Sequence, residues 1–219
     1  MMVFSTRVFR RQFFRQGYYV VWLTVMGILL PVCFASEQGT VLTGTDESAK
    51  LPFWEWRTDS VSLRLVQRLP DQSRAFFMAR GFNKQQADLI ARSCIFQTVY
   101  KNITTASQQR VVEYNLQDWE VIHDGDTRSL KIREKWMQQW RQEKIPQAAQ
   151  IAFEWSLLPT HQRYQAQDYN WGMTSYNLPP GSEFDLIMKW TENGNQKTGR
   201  INDIKCAPDV HLEPENPFG

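Results

Sequence analysis

The stretch from 183 to 206 constrains the fold more than any other. EFDLIMKW (183–190) has strand character, TENGNQ follows, and KTGRINDIKC (197–206) returns. At its centre sits Asn193-Gly194. The type I′ two-residue hairpin turn needs positive φ at both central positions, and Asn followed by Gly tolerates that best. The spacing therefore predicts a β-hairpin at the end of the chain.

Other segments read the same way. VSLRLVQRL places Val61, Leu63 and Leu65 against Ser62, Arg64 and Gln67, the alternation of a half-buried strand. CIFQTVYKN (94–102) is rich in β-formers. RVVEYNLQDWEVIHDG (110–125) alternates through Val112, Tyr114 and Leu116 into an Asp-Gly turn, and a short strand from Ser129 to Ile132 would return from it. IAFEWSLLP (151–159) reads as a buried strand. Helices are expected at three places. Asp71 caps DQSRAFFMARG, which stops at Gly81; Asn83 caps KQQADLIARS, with Ala87, Ile90 and Ala91 on one face; and Arg133 to Glu143 carries Trp136, Met137 and Trp140 as one apolar stripe. The fold class is α+β: an antiparallel sheet or sandwich with a few inserted helices on one side.

The N-terminus is an address. Arg7, Arg10, Arg11 and Arg15 precede an uncharged run, 16 to 36, whose centre is YYVVWLTVMGILL (18–30). A basic n-region and an apolar core of about 13 residues have signal-peptide dimensions and are short for a membrane span. Pro31 breaks the helix, and Cys33 and Ala35 offer small residues for cleavage after 35. The alternative is an uncleaved anchor with the arginines held in the cytoplasm. Both place the rest of the chain in the periplasm or on the periplasmic side of an inner membrane, in a bacterial host. FRRQFFR (9–15) resembles the twin-arginine export motif: Arg10, Arg11, Phe13, Phe14 and Arg15 match, and Phe9 departs from the usual Ser or Thr. That resemblance implies export in the folded state. The same arginines also suit an ordinary n-region ahead of so apolar a core. Residues 36–58 then read as a flexible tether, although Trp54 and Trp56 form an alternating pair that suits a sheet edge. Residues 59–212 form a single β-rich domain, and 213–219 a tail.

The whole chain carries 25 Lys and Arg against 23 Asp and Glu; with the four leader arginines removed, 21 face 23, formally −2. The basic balance belongs to the leader, and nothing points to nucleic acid. Cys94 and Cys206 are the cysteines that follow it, and in an oxidising compartment they read as one disulfide. The competing reading is a reactive or metal-binding pair. Cys206 and His211 have the C-x4-H spacing of part of a blue-copper loop, but no Met follows as axial ligand.

Catalytic patterns are missing at the motif level. No H-E-x-x-H, G-x-S-x-G or glycine-rich phosphate loop occurs. Asp118/Glu120 and Asp124/Asp126 are carboxylate pairs, expected on a solvated edge and a turn. Asn102-Ile-Thr104 is a glycosylation sequon by pattern. The most informative remaining stretch is YNWGMTSYNLPPGSEF (169–184), read as an aromatic loop. Trp171, Met173 and Tyr176 either fold onto the core or form a contact surface. The expectation is a non-enzymatic envelope protein, without cofactor or bound metal, that binds another protein through those three residues and meets the membrane only through its N-terminal segment. The rival is a periplasmic metal or redox accessory protein using Cys94, Cys206, His211 and Met173.

Overall fold

A computed structural model describes residues 38–210. The leader with Arg10, Arg11 and Phe13, the tail, and His211 lie outside them. In chain order the elements are β1 (Thr40–Thr45), β2 (Pro52–Arg57), β3 (Val61–Gln67), α1 (Pro70–Met78), α2 (Lys84–Ala91), β4 (Ile95–Asn102), β5 (Val112–Asn115), β6 (Glu120–His123), β7 (Asp126–Ser129), α3 (Arg133–Gln142), α4 (Gln147–Ser156), β8 (His161–Tyr164), β9 (Tyr169–Ser175), β10 (Glu183–Glu192) and β11 (Asn195–Lys205).

Two antiparallel sheets pack face to face. The first has the order β1-β2-β3-β4-β9. The second is built on β10, with β11 along one side and the β6/β7 and β5/β8 pairs on the other. Strand alternation sends Trp54, Trp56, Leu63, Leu65, Phe96 and Tyr100 inward from the first sheet, to meet Tyr114, Val121, Leu186, Met188, Trp190 and Ile201. Trp56 and Trp190 meet edge to face, with centroids 5.1 Å apart. β11 approaches closely enough that a Cβ on Gly199 would lie 2.5 Å from the Trp56 ring, so glycine is required there.

The helices form a second cluster on the outer face of the five-stranded sheet. Phe77, Phe82, Ile90, Trp136, Trp140 and Phe153 pack there against Ile95 and Met173. Ile95 points away from Phe96 on β4, so the two clusters lie on opposite faces of one sheet.

The C-terminal hairpin forms as its sequence requires: Asn193 and Gly194 have φ of 48° and 81°, and the strands are continuous to either side. Asp124-Gly125 makes the same turn between β6 and β7. Asn83 caps α2 by accepting from the Gln86 N–H at 2.9 Å. Cys94 and Cys206 are bonded, with Cα atoms 5.3 Å apart, and tie the start of β4 to the end of β11.

Five expectations need correction. Residues 36–58 are not a tether over their length: 40–45 and 52–57 are strands, and Trp54 and Trp56 are buried in the sandwich. β1 is exposed along its whole length and is held by main-chain pairing to β2, so it carries no alternating apolar face. The strand expected over 110–125 is broken by a 3-10 turn at Leu116–Asp118, and its return runs at 126–129 rather than 129–132. Residues 151–159 are mostly helix: Ala149 and Phe153, four apart, face the core, and Ile151 and Trp155 point to solvent. Asp71 does not cap α1: Leu69 holds the N-cap position without a side-chain cap and Pro70, its φ preset, is the first helical residue, so the Asp71 carboxylate lies inside the first turn and pairs with Arg74. The aromatic loop is, over 169–175, a strand.

Candidate protein-binding surface

β9 closes one side of the five-stranded sheet. Its register pairs Trp171 with Val99 and Tyr169 with Lys101. Tyr169, Trp171 and Met173 share the outer face by alternation. The helix cluster covers that face only at the Met173 end. Met173 is buried, whereas Trp171 is 67% and Tyr169 59% exposed. Gly172, between Trp171 and Met173, faces the inside. A Cβ there would lie 2.3 Å from the Leu158 nitrogen, so the glycine lets the 157–158 segment cross against the strand.

Of the three candidate contact residues, Trp171 alone is available. Met173 packs under the helices, and Tyr176 is enclosed between Phe96 and Phe184, 5.4 and 4.6 Å away. Burial holds the Tyr176 phenol well above its ordinary range. Both residues are corrected from surface to core: a strand end and a second packed layer provide the cover that a free loop would have lacked. Sequence reasoning also missed two residues. Trp155 on α4 is 86% exposed and Ile151, one turn earlier, is also exposed. Their i,i+4 spacing was legible once the segment was read as helix.

Other candidates are structural. Both sulfurs are in the disulfide, so neither offers a thiolate to metal or substrate. Among the described residues no three His, Cys, Asp or Glu side chains group as a metal site. Glu120 pairs with Lys189 across the sheet rather than with Asp118. His161 Nε2 lies 2.7 Å from Glu113 Oε1 on the outer face of the second sheet, both half-exposed. The sequon asparagine is fully buried: the Asn102 amide donates to the carbonyls of Arg110 and Tyr164, and its oxygen accepts from Thr104. It is a loop anchor, inaccessible to a glycan. Tyr100, Tyr114 and Tyr164 pack ring against ring nearby, Tyr100 stacked on Tyr164, with phenols raised by burial, Tyr164 to about 12. An open groove of about 780 Å³ runs between α2 and residues 177–180, lined by Leu89, Arg92, Leu178 and Pro179.

Among the described residues no helix is long and apolar enough to cross a membrane. Comparisons with models of protein families, with curated proteins and with solved structures gave no match.

Proposed function

We propose that this chain is a non-enzymatic, exported cell-envelope protein that binds another protein through the uncovered half of the β9 face. One observation carries the reading: Trp171 and Tyr169 stand exposed side by side on a sheet whose other half is sealed by helices. Large aromatics cost free energy when left in water, and Trp and Tyr dominate the binding energy of many interfaces. Trp155 and Ile151 on α4 extend the exposed apolar area of the same domain. Export rests on the leader, and the disulfide is compatible with an oxidising compartment. The metal and redox reading loses support, because its two sulfurs are bonded to each other.

The test is site-specific photocrosslinking in the native host. A photoreactive side chain at position 171 or 169 of the full chain should give discrete adducts. The same group at Gln108, an exposed position on the loop after β4, should not. Adducts at 171 no more distinct than those at 108 would overturn the reading.

A further inference from the structure

The main chain of β9 indicates how such a partner would be held. The Leu158 N–H donates to the Met173 carbonyl at 2.9 Å, and the Lys131 N–H to the Ser175 carbonyl at 3.0 Å. Neither donor belongs to β4, so Met173 and Ser175 turn their polar main-chain groups away from β4, toward the open side. Along a strand, residues two apart turn these groups the same way. Trp171 and Tyr169 therefore also direct N–H and C=O outward. The strand's beginning gives the same parity independently. The Asn102 N–H donates to the Asp168 carbonyl at 3.0 Å, which assigns the even-numbered residues to the β4 side.

The edge is thus divided. Its far half is occupied by the chain's own segments at Leu157–Leu158 and Lys131. Its near half presents the N–H and C=O of Tyr169 and Trp171, with no hydrogen-bond partner for them on that side among the described residues. Natural edge strands are commonly protected by charge, proline, bulges or cover. Here the flanking side chains are instead two exposed aromatics.

We infer that the partner docks as an extended protein segment added to the sheet along Tyr169–Trp171, its main chain pairing with theirs and its alternate apolar side chains lying against the two rings. This rests on the reading that this face binds a protein, and it specifies the form of the ligand. Strand addition takes affinity from main-chain hydrogen bonds and specificity from alternate side chains. Lys101 lies beside Tyr169 on the same face and has no carboxylate partner among the described residues, which favours a segment that also carries an acid.

The experiment uses a displayed library of random linear peptides, selected on the full chain. The probe is a selected peptide made in three forms: unmodified, and N-methylated at either of the two alternating sets of residues. N-methylation removes a donor and blocks approach to a strand while leaving side chains in place. The expected result is that Trp171→Ala weakens the unmodified peptide and that one N-methylated form loses at least about tenfold in affinity, the scale of one or two net hydrogen bonds. The other form should bind nearly as well as the parent. If binding needs Trp171 but tolerates both N-methylated forms, the strand-addition inference falls and the binding-surface reading stands. If no selected peptide depends on Trp171, both fall. If the full chain instead self-associates and Trp171→Asp makes it monomeric, the occupant is a second copy, and the inference of a separate partner segment is overturned.

Discussion

Breaking the disulfide measures how much of the fold depends on a long-range constraint. The Cys94–Cys206 bond spans 112 positions and ties the start of a central strand to the end of the last one. For a loop of that length, the chain-entropy relation gives about 16 cal/mol/K, or about 5 kcal/mol at 25 °C. Both residues are buried, so replacing them also removes some packed sulfur. A domain of this size has only about 5–15 kcal/mol of stability in total. Cys94→Ala/Cys206→Ala should therefore lose a third or more of it. With a urea slope of about 2 kcal/mol/M, the midpoint should fall by about 2.5 M, and the slope should steepen as the unlinked chain exposes more surface. Tryptophan fluorescence reports the transition directly, because Trp56, Trp119, Trp136 and Trp140 are fully buried. Fully reduced wild-type protein should match the double variant. A loss below about 1 kcal/mol would refute the argument that the bond acts on the unfolded chain.

Trp171→Ala should change stability by less than about 1 kcal/mol, whereas Trp56→Ala should cost about 3–5 kcal/mol; thermal unfolding of the pair contrasts an exposed aromatic with a core one. Gly199→Val should cost at least about 1–3 kcal/mol by forcing a side chain into the Trp56 ring, measured by urea midpoint. Asn102→Ala should cost about 1–3 kcal/mol, because the Arg110 and Tyr164 carbonyls lose their shared donor inside the protein. Burial raises the phenols of Tyr100, Tyr114, Tyr164 and Tyr176, with desolvation the main cause. A folded pKa above the unfolded value near 10 gives stability that is complete below that pH and lost as pH rises through the folded value. Alkaline unfolding should begin above about pH 10 and coincide with the 295 nm signal of these tyrosines; ionisation well before unfolding would count against their burial.

What the sequence determined by itself is the part whose cause is local or covalent. Asn193-Gly194 and Asp124-Gly125 set two hairpins, because only a few residue types tolerate positive φ there. Asn83 sets the start of α2, and the Trp136/Trp140 spacing gives α3 its buried stripe. Cys94 and Cys206, the two cysteines that follow the leader, read first as one bond, and they form it. What escaped was decided by neighbours distant in sequence. β1 is exposed along its whole length, and is a strand only because β2 supplies its hydrogen bonds. Residues 147–156 are apolar enough for either structure and become helix by packing Phe153 among Phe77, Phe82 and Trp140. In the candidate site the aromatic composition was legible, but not which residue is free. Trp171 and Met173 stand on the same face of one strand, two positions apart. Exposure differs between them because the helix layer ends between the two, and no local property of either residue encodes where a separate layer stops.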